Sequence, residues 1–365
     1  MKIGIITFHR ANNYGAALQC FALYHALETL HYQVQVIDYR QPDTEEAYQP
    51  LSLSRMRKIV HKPMSLIKDI LLIPLRQRNE QGFKKFRQKY IKCTAPIHRK
   101  EDIPQDFDVY LLGSDQLWSI LCTGGNVEEV FWGNFKHNSQ SVINGYAISG
   151  TISSLETIGK KRIIKYLAHF NQLSCREEGV ATWIQENTKL KCRVDVDPTL
   201  LVDDSIWYDM VKIKSKPSIS PYLLSYYLLP EQKIFAKDYA KKYGLRYVEL
   251  GYIASSPIDF LTLIKNATII IGGSFHIAVF SIVFRKHFFI IRKESDFDIR
   301  SEHLLKSLDM QERMISISNL PSKSLDAPVS YEGVEEKLYV LKEDSIKYLA
   351  SFLNNNKQTI NEHSI

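Results

Sequence analysis

The stretch Ala267-Thr268-Ile269-Ile270-Ile271-Gly272-Gly273-Ser274-Phe275-His276, running on into apolar residues 277–284, reads as strand, tight turn and helix. Two glycines let the backbone turn sharply and come close to a ligand, and the N–H groups opening the helix make a ready site for an anion. His276 stands at that opening, where an imidazole of near-neutral pKa can serve as general acid or base beside a phosphate or carboxylate. The same position also suits a buried histidine satisfied by a backbone carbonyl. The leading expectation is chemistry on an anionic small molecule.

Outward from this turn, short β-rich runs alternate with helical patterns from end to end, the signature of parallel sheets with crossover helices. A first set has strands near 2–8, 34–39, 109–113, 141–148, 172–175 and 192–196, with helices near 16–30, 158–170 and 178–187. A second has strands near 222–227, 246–250, 268–271, 287–291 and 314–317, with helices near 230–243, 258–266, 276–284 and 302–308. The fold class is α/β, two Rossmann-like halves. The polar, proline-bearing stretch 211–221 marks the join, giving domains 1–204 and 205–365. A last helix near 342–354 packs back toward the first domain, and 355–365 reads as a polar tail.

The length of 365 residues and a 45% hydrophobic content allow substantial cores and favour two domains. Net charge is +7, but residues 55–92 carry twelve Lys or Arg against Asp69 and Glu80. The remainder is therefore slightly acidic, and the basic stretch lies within an insertion spanning 41–104. Its interspersed apolar residues, Met64, Leu66, Ile67 and Ile70 to Ile73, give it the character of a basic face that rests on an anionic membrane. A solvated helix face carries the same charge pattern. Nucleic acid is not an expected partner.

No apolar run is long enough to span a membrane, and Met1 to Thr7 reads as a first strand, not a signal peptide. The expected location is cytoplasmic, with the basic stretch allowing peripheral contact at the inner face of the membrane. The five cysteines are odd in number and scattered, which argues against a disulfide framework and against zinc.

Four further stretches can carry chemistry. Gly113-Ser114-Asp115-Gln116 follows the apolar run 109–112, where open α/β sheets bind ligands, or else opens a capped helix. Asn12-Asn13-Tyr14-Gly15 follows the first strand but lacks dinucleotide and P-loop spacing, so it either contacts a polar ligand or only shapes the loop. Arg176 lies at another strand end, as an anion-binding fork or as a surface partner of Glu177 or Glu178. Asp195 and Asp197 point the same way along a strand, as metal ligands or as a strand-ending turn with Pro198.

Taken in order, Asn13-Tyr14-Gly15-Ala16-Ala17-Leu18-Gln19, Gly113-Ser114-Asp115-Gln116-Leu117-Trp118, Tyr146-Ala147-Ile148-Ser149-Gly150, Cys175-Arg176-Glu177-Glu178, Asp197-Pro198-Thr199 and Ser274-Phe275-His276 resemble the polysaccharide pyruvyl transferase family over residues 1–310. Gly272 and Gly273 stand where members often carry Thr and a polar residue. The resemblance implies a GT-B-like arrangement, two Rossmann-type domains facing across a cleft. It also implies transfer of the enolpyruvyl unit of phosphoenolpyruvate to sugar hydroxyls of a surface or exopolysaccharide precursor, such as a lipid-linked oligosaccharide, closing a pyruvate ketal.

By that resemblance the motif histidine maps onto His276 and the motif arginine onto Arg176; the chemistry of the donor then makes His276 the expected catalytic acid or base, with Arg176, Gly273, Ser274 and Phe275 expected to hold the anion. Asp115, with Ser114 and Gln116, serves the acceptor hydroxyl, and Asn13, Tyr14 and Gly15 contribute substrate contacts. Neither a metal nor a further cofactor is expected, phosphoenolpyruvate being a donor substrate. The rival expectations are a nucleotide-sugar glycosyltransferase on the same architecture and a catalytically silent glycan- or anion-binding protein.

Overall fold

The computed structural model describes residues 1–42, 45–46, 71–212, 220–318 and 328–362, with side chains to 351 in the last stretch. The chain forms two compact units, 1–202 together with 341–365, and 203–340. The division falls two residues before the expected one, and the last helix groups with unit 1, not with the domain that precedes it in sequence. The expected linker lies in part (213–219) outside the described residues.

Unit 1 is built on a six-stranded sheet of β1 (Lys2–Ile6), β2 (Gln33–Val36), β3 (Val109–Trp118), β4 (Val142–Gly150), β5 (Phe170–Cys175) and β6 (Cys192–Val194). The order is β2-β1-β3-β4-β5-β6, every pairing parallel. Such a sheet is covered on both faces, so its central strands are apolar runs without alternation, and Val109, Tyr110, Leu111 and Leu112 are all fully buried. Helix α1 (Tyr14–Thr29) follows β1, and α2 (Ile73–Tyr90) lies in the insertion before β3. Helices α3 (Ile152–Ile158), α4 (Lys160–Leu167) and α5 (Glu178–Asn187) complete the crossovers.

Within the insertion, residues 43–44 and 47–70 lie outside the described residues, and with them most of the expected membrane-facing apolar positions. Where α2 is described, its apolar side chains turn inward. Phe83 meets Tyr14 of α1 at 5.1 Å and Phe86 meets Phe21 at 6.1 Å, while Arg78, Lys84, Lys85 and Lys89 face solvent.

Unit 2 repeats the plan with α6 (Asp204–Lys212), β7 (Tyr222–Tyr226), α7 (Pro230–Lys242), β8 (Arg246–Glu249), α8 (Leu250–Ile253), α9 (Pro257–Asn266), β9 (Ile269–Gly272), α10 (Phe275–Val283), β10 (His287–Ile291), α11 (Ile299–Ser307) and β11 (Met314–Ile315). Its sheet runs β11-β10-β9-β7-β8, again parallel. In both units the order reverses beside the first strand, between β1 and β3 and between β7 and β9. At such a reversal the flanking crossover helices lie on opposite faces of the sheet and leave a crevice at the carboxyl ends of the strands.

The final helix, α12 (Val334–Glu362), is longer than the expected 342–354 and takes in most of the stretch read as a tail. From Leu341 onward it belongs to unit 1. Ser345 accepts from the Val196 backbone N–H at 3.2 Å, Tyr348 donates to the Leu173 carbonyl at 3.3 Å, and Leu349 is fully buried. Arg193 pairs with Asp344 and stacks over the Tyr348 ring at 4.4 Å. Among the described residues no helix is long and apolar enough to cross a membrane.

Candidate functional site

The carboxyl edge of β9 carries the opening motif to the reversal point of unit 2. Gly273 donates its N–H to the Tyr226 carbonyl at 3.1 Å, holding the turn against the end of β7. A Cβ at residue 273 would lie 2.8 Å from the Tyr227 carbonyl and 2.7 Å from Lys293 Cε, so only glycine fits. Ser274 is the N-cap of α10, yet its hydroxyl makes no capping bond. Serine is chosen at helix starts because its oxygen satisfies an orphan N–H. At α10 the hydroxyl does not.

His276 is the second residue of α10, 7% exposed, with Phe275 edge-on to its ring at 5.1 Å. Two cations flank the turn. Lys293, just beyond β10, lies with Nζ over the Tyr227 ring at 3.2 Å and against Gly273, and no carboxylate among the described residues forms an ion pair with it. Burial pushes its pKa down to about 8; Asp298 pulls upward and Arg300 adds to the fall. Arg300 stands over the Phe275 ring at 5.6 Å. Of the other arginines downstream of the motif, Arg292 is paired with Glu302 and Arg285 with Glu335. A helix start, a lysine in no ion pair among the described residues and a neighbouring guanidinium make an anion-seeking edge.

Lys293 and Tyr227 are the residues that sequence reasoning missed. Tyr227 has φ 59°, a left-handed conformation that costs a bulky residue energy and that recurs at functional sites. Each follows the end of a strand, but only the sheet order places those strands next to β9.

At the carboxyl edge of unit 1 the expected residues come together, but as an internally paired network. The strand does not stop at Gly113 or give way to a capped helix. It continues through Gly113 and Asp115, both at positive φ, to Trp118. A Cβ at residue 113 would fall 2.3 Å from the Tyr146 carbonyl, which accounts for that glycine. Ser114 is fully buried, accepts from Arg176 and donates to the Ala147 carbonyl at 3.1 Å.

Arg176, 4% exposed, pairs through Nη1 with Asp197 at 2.9 Å, while Glu177 accepts from Ser149 and from the Gly150 N–H. Neither the surface pair with Glu177 or Glu178 nor an open anion fork describes Arg176; it ties the ends of β3, β5 and β6 together. Asp115 is 9% exposed and accepts from the Gln116 N–H at 2.8 Å; Gln116 is half-buried.

Asn13 is the N-cap of α1, accepting from Ala16 N–H at 3.2 Å, the loop-shaping role. Tyr14 is buried against Phe83 and Gly15 lies within the helix. The aspartates of the D-x-D stretch diverge. Asp197 takes Arg176 and the Thr199 N–H and hydroxyl, whereas Asp195 pairs with Arg193 at 3.2 Å, its carboxyl pushed up to about 6 by burial against the pull of that arginine. Among the described residues no three His, Cys, Asp or Glu gather to hold a metal.

A second charged group at the β1 edge was not anticipated. His9 places Nε2 2.9 Å from Asp38 and Nδ1 3.2 Å from the Thr7 carbonyl, Arg40 pairs with Asp38 at 3.0 Å, and Arg10 forks onto Glu45 at 2.8 and 3.1 Å. Burial alone would raise the Asp38 carboxyl; His9 and Arg40 hold it well below the usual range. Thr7 ties this edge to β3 by donating to the Ser114 carbonyl at 2.8 Å, and Gln19 donates to Thr7 at 2.9 Å.

No curated protein matches the chain. Among solved structures, UDP-GlcNAc 2-epimerase from Neisseria meningitidis bound to UDP-GlcNAc is similar with a TM-score of 0.50 and 10% identity, over 97% of this chain and 100% of that one. A glycosyltransferase of Streptomyces sp. SF2575 is similar at 0.41 and 11% identity, over 95% and 96% of the two chains. The first likeness shows the fold, a pair of Rossmann-like units of the GT-B class, and nothing of the chemistry. The sequence profile of the polysaccharide pyruvyl transferase family matches residues 13–294, most of the chain, and the protein therefore belongs to that family.

Proposed function

We propose that the protein moves the enolpyruvyl group of phosphoenolpyruvate onto two hydroxyls of a glycan precursor, closing a pyruvate ketal and releasing phosphate. The observation that carries this reading is the start of α10, where Ser274 makes no capping bond, His276 is the second helical residue, Lys293 lies against Gly273 and Arg300 over Phe275. Phosphoenolpyruvate bears a phosphate and a carboxylate, which suit a helix N-terminus and paired cations.

In this reading His276 gives a proton to C3 of the donor, leaving C2 electrophilic. A first acceptor hydroxyl adds to C2, and its proton replaces the one that His276 gave to C3. The C2–O bond to phosphate breaks, a second hydroxyl adds, and its proton leaves with the phosphate. One hydroxyl proton thus balances the new methyl group and the other balances the released phosphate. Arg176 acts by positioning Ser114 beside Asp115, not by touching the donor.

Phosphoenolpyruvate should raise the melting temperature of the protein, UDP-, GDP- and CMP-sugars should not, and phosphate release with a glycan acceptor should accompany a new ketal methyl signal by NMR. His276→Ala should retain the fold and lose about 10²–10⁴-fold in phosphate release. Full activity in that variant, or stabilisation by a nucleotide sugar in place of phosphoenolpyruvate, overturns the reading.

A further inference from the structure

The carboxyl edge of unit 2 carries an aromatic side chain that the proposed chemistry does not use. Tyr227 directly follows β7 and is 64% exposed, although Lys293 Nζ lies 3.2 Å from the centre of its ring. One face is covered by the ammonium, so the exposure falls on the other face and the ring edge. Holding a bulky residue at φ 59° costs backbone energy, and leaving its ring in water forgoes the gain of burying it. The stacked cation offsets part of this, and the open face is left for a partner from outside.

The ring does not stand alone. Ser225 pairs in register with Glu249, so Tyr227 and α8 leave adjacent strands at one level, and α8 presents Tyr252 and Ile253 to solvent. Leu229, two residues on from Tyr227, is exposed as well. Single exposed apolar side chains need no explanation, but four on one rim mark an interaction site. Polar groups lie among them: Lys233 pairs with Glu249 and lies near the hydroxyls of Tyr247 and Tyr252.

An open aromatic face with a carboxylate, an ammonium and phenol hydroxyls beside it matches a pyranose, whose C–H face stacks on the ring while its hydroxyls take hydrogen bonds at the rim. The position fits the chemistry next to it. The Tyr227 carbonyl lies 2.8 Å from the place a Cβ on Gly273 would take, so a sugar on Tyr227 stands beside the turn that bears His276.

We propose that Tyr227 is a stacking platform for the acceptor sugar, seating one pyranose ring by its C–H face with Tyr252 and the Lys233–Glu249 pair at the rim, so that unit 2 holds the acceptor as well as the donor. Calling that sugar the acceptor rests on the proposed reaction; a sugar platform at Tyr227 does not.

Saturation-transfer NMR of the full-length protein with neutral methyl glycosides of glucose, galactose, mannose and N-acetylglucosamine, and with uridine, tests the platform without turnover. At least one glycoside should receive saturation through its ring C–H protons. Tyr227→Gly suits the left-handed backbone and removes only the ring, so it should fold and weaken that binding about tenfold or more, while Tyr227→Phe should keep it. Equal binding in Tyr227→Gly, or no glycoside bound by the wild type, overturns the proposal. Uridine bound through Tyr227 in place of the glycosides assigns the ring to a nucleobase and overturns it equally.

Ketal formation on the glycoside that binds tests the reaction separately. If none forms while the glycoside still binds through Tyr227, the reaction is wrong and the platform stands. If a ketal forms with the same acceptor KM in Tyr227→Gly, the platform is wrong and the reaction stands.

Discussion

The two units share one plan, yet their first crossover edges differ in how charge and caps are used. In unit 1 the helix entry is closed by its own side chain, Asn13 capping α1, and Arg176 is buried against Asp197. In unit 2 Ser274 stands at the helix entry without capping, and Lys293 rests on an aromatic face in no ion pair among the described residues. Paired charges and satisfied caps make scaffolding, because each group has already found its partner inside the fold. Unspent donors and cations make binding edges, because their partner must come from outside. By that test the reversal point of unit 2, more than the paired network of unit 1, has the makings of a binding edge.

The comparison breaks first at Arg176. If it is scaffolding, Arg176→Met strands the fully buried Asp197 carboxylate and destabilises the protein by about 3–5 kcal/mol in denaturant melts, while phosphoenolpyruvate affinity of the folded fraction is unchanged. Wild-type stability with lost donor affinity would return Arg176 to the role of an anion fork.

Lys293 sharpens the other side. Its ammonium is charged below about pH 8 and neutral above it, so the KM for phosphoenolpyruvate should rise roughly tenfold over the next pH unit. Lys293→Arg, charged throughout, should flatten that rise. A KM in the wild type that does not change across this window shows that the lysine does not meet the donor.

The smallest effect separates the two caps directly. Asn13→Ala should cost about 1 kcal/mol of stability, the ordinary loss of an N-cap bond, and Ser274→Ala very little. Ser274→Ala should instead lower phosphoenolpyruvate affinity. Equal stability losses at both positions would erase the distinction between them.

What the sequence made legible follows from local physics. Apolar runs such as 109–112 and 269–271, each ending in glycine, announced buried parallel strands, and the β10 and α5 boundaries fell at the expected residues. The turn before His276 was legible because glycine, serine and histidine each have a local reason to stand there. Lys293 and Tyr227 were not, since their roles depend on which strands lie next to β9, and that order is settled by packing across the sheet. Arg176 misled for the same reason. Its partner Asp197 follows a strand of its own, and sequence adjacency pointed to Glu177 and Glu178 instead. Asp115 was legible as a strand-end residue, but the positive φ values that let β3 run on past Gly113 leave no trace in composition.

The path of α12 has a consequence for the order of events on the ribosome. Unit 2 is a single uninterrupted stretch and can close as soon as it emerges, whereas unit 1 waits for Ser345, Tyr348 and Leu349 to arrive after some 140 intervening residues have been translated. The half made first is therefore finished last, and until then the edge of β6 stands without its cover.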